Sequence, residues 1–545
     1  MAPRQNDSTH TPVVIIGAGF SGLAMACQLK QQLDFHDFKI YDRAPKLGGT
    51  WYSNRYPGCG VDIPAAFYSL SFAPNPQFSR FFPKQQEILE YIGDVADQFN
   101  VTEHFVGSTE WVGADWQDDS CRWSLSLRET STGRVFTHQC DILISAVGGL
   151  SNPNRLSLLG HDRFKGSIVH TAEWDPDISI EQRNVVVLGN GSSATQLVPT
   201  IAEKAKSATQ FIRTPQYYVP SQNAPISEFW RSTFHGIPGV LKLFRALVFF
   251  YLETSVLQFS RTWLGSKMRK RASIECRRYI KECAPEEYWP LLFPSYELGC
   301  KRRVYDNDGY VATLHRDNVQ VVDDPIVSLL EQAALTKSGK IYPADVIVLA
   351  TGFSPTQHDV DLHGRSGYSR KGHWKRAGAM QAFNTVAMSG FPNFFYILGP
   401  NSGRGHTSTI YTVEVYVNLV IRLIEPVISR RASSVEVKRS SEENFNRQLR
   451  AGLEKTILNN ACRSWYIDPK TEKNWFIYPW SSVKMWFSIR SDVTEDWIYQ
   501  VSSTQPPIAP IPCLMASLTG APSASSNRAI SSKRAQPENP KKFDS

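Results

Sequence analysis

The chain has 545 residues, 42% hydrophobic and 20% charged, with a formal net charge of +8. That length and apolar content fit two or three domains with full cores and exclude a wholly disordered or fibrous chain. The modest positive surplus suits a protein that handles phosphorylated cofactors and does not argue for nucleic acid, which is not an expected partner. Nine cysteines include no CxxC pair and no Cys/His cluster at metal-ligand spacing. Neither a disulfide framework nor a metal site is expected, and the thiols are expected to stay reduced in the cytoplasm.

Residues 1–11 are polar, without the apolar core of a signal peptide, and are expected to be disordered. Val13-Val14-Ile15-Ile16 then reads as a buried parallel strand, running straight into Gly17-Ala18-Gly19-Phe20-Ser21-Gly22 and a helical stretch to Gln32. Gly17 permits the tight turn, Gly19 lets a pyrophosphate approach the backbone, and Gly22 lets helix and strand pack closely. The helix N-terminus offers free N–H groups to the phosphates. The next strand, Lys39-Ile40-Tyr41, ends on Asp42, about twenty residues on, where a carboxylate accepts from a ribose. An acid-bearing motif at the N-terminus is the usual place for FAD.

The arrangement recurs. Val185-Val186-Val187-Leu188 leads into Gly189-Asn190-Gly191-Ser192-Ser193-Ala194, and the following strand ends on Arg213-Thr214 in place of an acid. A carboxylate there would repel the 2′-phosphate of NADP, whereas a guanidinium binds it through two donors, so NADPH is expected over NADH. Two further strands end in small-residue turns, Asp141 to Gly148 and Asp345 to Gly352. Each reads as a crossing between nucleotide domains. The expected fold is α/β, with two Rossmann-type dinucleotide-binding domains, the NADPH domain being inserted into the FAD domain.

The most apolar stretch, Gly236 to Leu264, is too short in its uninterrupted part to span a bilayer. Leu243, Ala246, Leu247 and Phe250 recur at helical spacing, and Arg261, Lys267, Arg269, Lys270 and Arg271 follow. The preferred reading is an amphipathic helix packed on the protein with a solvated basic face. Peripheral membrane-surface association through 236–264 is the alternative.

Between the glycine motifs lies Phe164-Lys165-Gly166-Ser167-Ile168-Val169-His170-Thr171-Ala172-Glu173-Trp174-Asp175. This resembles the fingerprint of the flavin-dependent Baeyer–Villiger monooxygenases, carried here by Phe164, Gly166, His170, Trp174 and Asp175. Gly49-Thr50-Trp51, Tyr56-Pro57-Gly58 with Asp62, and Lys301-Arg302 ahead of Gly309-Tyr310 are similar to further patterns of that family. The resemblance covers about residues 12 to 500. It implies that FAD is lined by Gly49, Thr50, Trp51, Asp62, Ile63 and Tyr68 besides the first glycine turn. It also implies that Lys301 joins Arg213 and Thr214 at the NADP phosphate, and that Arg302 and Asp62 form the catalytic pair. The implied domains are FAD-binding at 12–150 and 353–503 and NADPH-binding at 151–215 and 300–352. A helical substrate-side insertion at 216–299 and a disordered tail at 504–545 complete the division.

Cys462-Arg463-Ser464-Trp465-Tyr466 resembles a motif of fungal members that act on secondary metabolites, whereas Tyr478-Pro479-Trp480-Ser481 carries a Trp where glycine is commoner. The implied activity is NADPH-consuming insertion of one atom of O2 beside a ketone carbonyl, giving an ester or lactone, by a monomeric enzyme. The same oxygen chemistry used for heteroatom oxidation, hydroxylation or epoxidation is the rival within the enzyme class. A flavin-binding protein without turnover is the rival outside it. The bland readings are a turn carboxylate for Asp62 and a solvated basic pair for Lys301-Arg302. The chemistry builds negative charge on oxygen, and a cation about 4 Å away at an effective dielectric near 20 is worth about 4 kcal/mol before desolvation. Arg302 stays charged at any working pH. His170 reads as a coupling residue between domains, and His406, in the glycine-rich run Gly399 to His406, as a further candidate site residue.

Overall fold

Val13–Ile16 (β1) is a run of β-branched residues with all four side chains buried, the composition of a strand covered on both faces. It leads through the glycine turn into α1, Phe20–Leu33, then to β2, Phe38–Tyr41, β3, Phe105–Val106, and β4, Ile142–Ser145. The chain then leaves this sheet for β5 (Ser167–His170), β6 (Asn184–Leu188), α2 (Ser192–Ala202) and β7 (Ser207–Phe211). Three helices follow, α3 (Glu228–Gly236), α4 (Val240–Thr254) and α5 (Trp263–Cys283). β8 (Val319–Val322) and β9 (Val346–Leu349) return to the second sheet. Finally β10 (Phe394–Tyr396) rejoins the first, and α6 (Thr409–Ile428) packs along α1. This computed structural model describes residues 9–354, 360–459, 462, 464–490 and 495–501. The tail expected to be disordered at 504–545, residues 1–8 and Arg463 lie outside the described residues.

These two five-stranded sheets are parallel throughout, in the orders β10-β4-β1-β2-β3 and β5-β9-β6-β7-β8. The whole second sheet is therefore threaded between β4 and β10 of the first, the insertion that the two crossing segments predict. The crossings do more than connect. Gly17 has φ +108°, and a Cβ there would lie 2.5 Å from the Ala146 carbonyl oxygen; Gly189 has φ +120°, and its Cβ would lie 2.4 Å from that of Ala350. Each small-residue turn passes against one glycine turn, held by Ala146 N donating to Ile16 O (2.7 Å) and Ala350 N to Leu188 O (2.9 Å). Small side chains at these two crossings and bare backbone at the two turns are the same steric requirement, met twice.

Two expectations need correction. Thr9–His10 pairs in parallel with His138–Gln139 at the edge of an antiparallel meander, so the end of the N-terminal segment is structured. His138 draws it in, through a 2.6 Å hydrogen bond between its Nδ1 and Thr9 Oγ1. In α4, the face expected to pack on the protein points outward: Leu243, Ala246, Leu247 and Phe250 are exposed, while Leu241, Val248, Phe249 and Leu252 are buried. The helix is apolar on both faces, so spacing alone cannot say which one the protein covers.

Gly22 supplies the test of the close helix–strand approach. A Cβ there would sit 1.9 Å from Gly17 O and 3.0 Å from Gly17 C, both backbone atoms that cannot step aside. Gly22→Ala is expected to cost about 1–3 kcal/mol, as overpacked cores do. Thermal unfolding followed by circular dichroism should show a lower transition temperature than in the wild type.

Candidate active site

The first glycine turn ends at Gly19, the N-cap of α1, where no side chain caps the helix. The open N–H groups of an uncapped helix start are where a phosphate binds. Gly48 N donates to Ala18 O (3.0 Å), which lays Gly49 across the turn; Gly49 has φ +53°, and a Cβ on it would lie 2.6 Å from Gly19 Cα. Thr50 and Trp51 follow in a short helix, and buried Trp51 donates from Nε1 to the Tyr68 hydroxyl (3.2 Å). Burial pushes the Tyr68 phenol well above its ordinary value, keeping it neutral. Asp42 is engaged locally: Oδ2 accepts from Ala18 N (2.7 Å) and Oδ1 from Ala44 N (2.8 Å). Burial raises its pKa, and these two N–H groups act against that shift. The acid thus closes the turn it was expected to serve, and each oxygen keeps a lone pair for a ribose hydroxyl.

The second turn repeats the design. Gly191 is the N-cap of α2, again without a side-chain cap, and a Cβ on it would meet nothing within 4 Å. Ser192, Ser193 and Ala194 form the first turn of α2. Asn190 Nδ2 donates to Thr214 O (2.7 Å), tying the glycine turn to the loop that carries Arg213. Lys301 lies with its Nζ 4.6 Å from the Tyr296 ring centroid. Burial, and then the charge of Arg213, lower the Lys301 pKa. Arg213, in the loop tied to the open helix N-terminus, and Lys301 feel each other's charge, an arrangement that an anion would relieve. The residues present therefore fit a dinucleotide at each turn, and a phosphorylated ribose at the second.

Arg302 and Asp62, 240 residues apart, meet in an ion pair between Nη2 and Oδ2. The charge of Asp62 is the main cause raising the Arg302 pKa above its already high value, so the guanidinium is permanently charged. Asp62 is held in place by a dock that sequence reasoning missed. Tyr56 donates to Gln196 Oε1 (2.7 Å), Gln196 Nε2 donates to Gly60 O (2.9 Å), and Asn307 Nδ2 donates to Val61 O (3.1 Å). A Cβ on Gly58 would strike Gln196 O at 2.2 Å. The Tyr56-Pro57-Gly58 run is thus a contact surface for α2; a Pro-Gly pair, which marks a turn, was the available signal. Ile63 packs beside Phe67.

Arg302, Arg303, Lys301 and Gly299 line a small cavity with Phe259, Gly405, Leu458 and Tyr466. Burial raises the Tyr466 phenol to about 12, and its hydroxyl sits at the backbone of Arg302. Cys300, next to this loop, forms a disulfide with Cys462 (Cα–Cα 6.0 Å), which corrects the expectation of reduced thiols throughout. The partners are 162 residues apart, so no local spacing could reveal them. Cys27, Cys59, Cys121, Cys140, Cys276 and Cys283 are free.

His406 does not face the Arg302 cavity as a free base. It is buried, with Nε2 3.1 Å from Glu253 Oε2. Arg404 donates to Ser482 Oγ (2.7 Å), and Ser482 N donates to Glu253 Oε1 (2.6 Å). His170 is buried on β5, accepts from Ala172 N at Nδ1 (3.0 Å) and meets the Phe353 ring edge-on at 6.0 Å. It lies against the second crossing, where a coupling residue would sit. Trp174 is in the core, Phe164 packs over Gly166, and Asp175 caps Asp177 N in an exposed turn (3.0 Å). Among the described residues no cluster of acids, histidines and cysteines could hold a metal ion, and no helix is long and apolar enough to cross a membrane.

Two parallel sheets with uncapped glycine-turn helices, and a fixed cation where their domains meet, define an oxidoreductase that works with two dinucleotides. A family model described as an NAD(P)-binding Rossmann-like domain matches residues 15–84. A Baeyer–Villiger monooxygenase of Pseudomonas aeruginosa is 32% identical over 481 residues, covering 88% of this chain and 89% of that protein. The FAD-binding monooxygenase tazF of Aspergillus terreus is 32% identical over 468 residues, 83% and 82% of the two chains. Among solved structures, an oxidized steroid monooxygenase bound to NADP superposes with a TM-score of 0.78 at 27% identity, covering 91% of this chain and all of that one. A cyclohexanone monooxygenase from Rhodococcus sp. Phi1 bound to NADP+ gives 0.79 at 24% identity, with the same coverage. The chain belongs to the Baeyer–Villiger monooxygenases, FAD- and NADPH-dependent enzymes that insert one oxygen atom of O2 beside a ketone carbonyl.

The Glu253 contacts generate a pH test. Burial raises the Glu253 pKa, but hydrogen bonds from His406 and Ser482 and the charge of Arg404 outweigh it and bring it to about 2. A depressed acid contributes stability that is complete above its ordinary value of 4.5 and is lost as pH falls from there through about 2. Glu253→Gln should therefore unfold at a lower temperature than the wild type at neutral pH. The gap should narrow as the pH drops below about 4.5. A gap independent of pH would show that the carboxylate charge is not what holds the contact.

Proposed function

We propose that FAD occupies the first glycine turn and NADPH the second, and that the Asp62–Arg302 pair presents the fixed cation at which a ketone is oxygenated. The observation that carries the reading is this ion pair, which joins a residue just after the Gly49-Thr50-Trp51 segment to one beside Lys301. Gly17, Gly19, Gly22, Asp42, Gly49, Thr50, Trp51, Asp62, Ile63 and Tyr68 would hold FAD. Gly189, Gly191, Ser192, Ser193, Ala194, Arg213, Thr214 and Lys301 would hold NADPH. Bound flavin supplies the hydride acceptor and the site of O2 activation; the protein supplies position and charge.

Among the described residues the Arg302 side chain is oriented by Asp62, and its guanidinium would meet an oxygen that gains negative charge as the carbonyl is attacked. Its side chain is 46% exposed toward the cavity, whereas that of Asp62 is 19% exposed, so the arginine is the member of the pair that faces reactants. Tyr466, neutral and buried, lies beside the Arg302 backbone and lines the same cavity. The proposed substrate class, ketones of secondary metabolism, is supported by the Cys462 to Tyr466 motif. We propose a cytoplasmic setting, in which the six thiols that are free among the described residues stay reduced and the Cys300–Cys462 bond is the exception.

Two substitutions test the assignment. Arg302→Ala should bind FAD and be reduced by NADPH as before, while ester formation falls by roughly 10²–10³, the loss for one preorganised donor to a developing oxyanion. NADPH consumption would then run on into hydrogen peroxide, measured by a peroxidase-coupled assay. Near wild-type ester per NADPH would remove Arg302 from the chemistry.

Arg213→Ala should raise the KM for NADPH about 10- to 100-fold and leave that for NADH nearly unchanged, because only the phosphorylated ribose loses a charge-assisted contact. Steady-state kinetics with both nucleotides decides it; equal losses would move the phosphate site elsewhere.

A further inference from the structure

Helix α4 presents apolar side chains all round, but the protein covers only one side. Leu241, Val248, Phe249 and Leu252 are buried, the last three clustering with Phe67 and Tyr411. The opposite stripe, spaced at three and four residues, is open: Leu243 is 63% exposed, Leu247 59%, Phe250 58% and Tyr251 76%. The open surface extends onto α3, which has no buried residue and carries exposed Phe229 and Trp230. Stacking of Phe234 on Phe244, with ring centroids 5.3 Å apart, fixes α3 against α4. Exposed Trp263 and Leu264 begin α5. Of the 21 large apolar side chains exposed among the described residues, 11 fall between Phe229 and Ile274. Scattered exposure is ordinary, but concentration in one segment marks a docking surface.

The charge beside it selects the occupant. Lys267, Lys270, Arg271 and Arg278 line a shallow groove on α5 with Ile274, and Glu275 is the single acid there. Lys267 Nζ lies 5.2 Å from the Trp263 ring centroid, so aromatic and cation are adjacent. A twofold pairing through this face would bring the cationic α5 of one copy toward that of the other. A bilayer with anionic headgroups answers both features, taking the apolar stripe at its acyl boundary and the lysines and arginines at its surface. At 15 residues α4 is too short to cross, and it would lie in the plane.

We propose that α3, α4 and the start of α5 form a docking face for an anionic membrane surface, a role independent of the assignments at the nucleotide sites.

The test is flotation of the full-length, FAD-loaded enzyme with phosphatidylcholine vesicles, with and without phosphatidylserine. The wild type should float with the phosphatidylserine vesicles and bind neutral ones at least about tenfold less well. Leu247→Ser/Phe250→Ser should abolish flotation. Lys267→Glu/Lys270→Glu should weaken it about tenfold or more. Both variants should keep the wild-type unfolding temperature and NADPH oxidation rate, which shows that the fold survives. Failure of the wild type to float with either vesicle would overturn the proposal, as would flotation that neither variant changes or equal flotation with neutral vesicles. A wild-type dimer in sedimentation equilibrium that Leu247→Ser/Phe250→Ser converts to monomer would assign the face to a second copy instead.

Discussion

The ion pair between Asp62 and Arg302 joins two stretches of chain 240 residues apart, and both must be positioned before it can form. Its own strength cannot do that work. With side chains 46% and 19% exposed it belongs among solvated pairs, which contribute about 0–1 kcal/mol. The positioning comes from less conspicuous contacts. Tyr56, Gln196, Gly60, Val61 and Asn307 form a lattice of hydrogen bonds between the first domain's loop and the second domain, buried at Tyr56 and Gln196. On the other side, the Cys300–Cys462 bond and Tyr466 flank the arginine. The pair is therefore a readout of domain registration, formed only where the two halves fit.

That division of labour bears on how the two glycine turns work. Each is backed by a small residue from a crossing strand, Ala146 or Ala350, so each turn feels the position of the chain leaving its sheet. His170, against the Phe353 ring at the second crossing, sits where a shift of one domain would be transmitted to the other. Asn190, bonded to Thr214 O, ties the loop that carries Arg213 to the second turn, so the two would shift together.

Much of this architecture was legible from the residues because it rests on local rules. A buried apolar strand followed by a glycine turn and an acid or an arginine has a short-range cause, and both such units fold as the pattern implies. Nesting of the second sheet in the first followed from two strands with small-residue ends. What escaped notice depends on contacts between distant segments. The Cys300–Cys462 pairing, the docking of Tyr56 on Gln196 and the Glu253 partner of His406 have no signature within any one window. The outward face of α4 was misjudged for a different reason: when a helix is apolar on two sides, periodicity identifies a stripe but not its neighbour. Thr9–His10 joined a sheet because His138 offered a partner, which polarity alone does not register.

The nesting of one sheet within the other sets an order on the making of the protein. The first sheet needs β10 at its edge, beside β4, and β10 is formed by residues 394–396, while its other four strands are complete by Ser145. A nascent chain on the ribosome thus carries an unfinished sheet, with the open side of β4 unpaired, through synthesis of the whole second domain and its helices. The second sheet, whose strands run from Ser167 to Leu349, can close first. In translation the later domain is the earlier scaffold, and the earlier domain waits for its last strand.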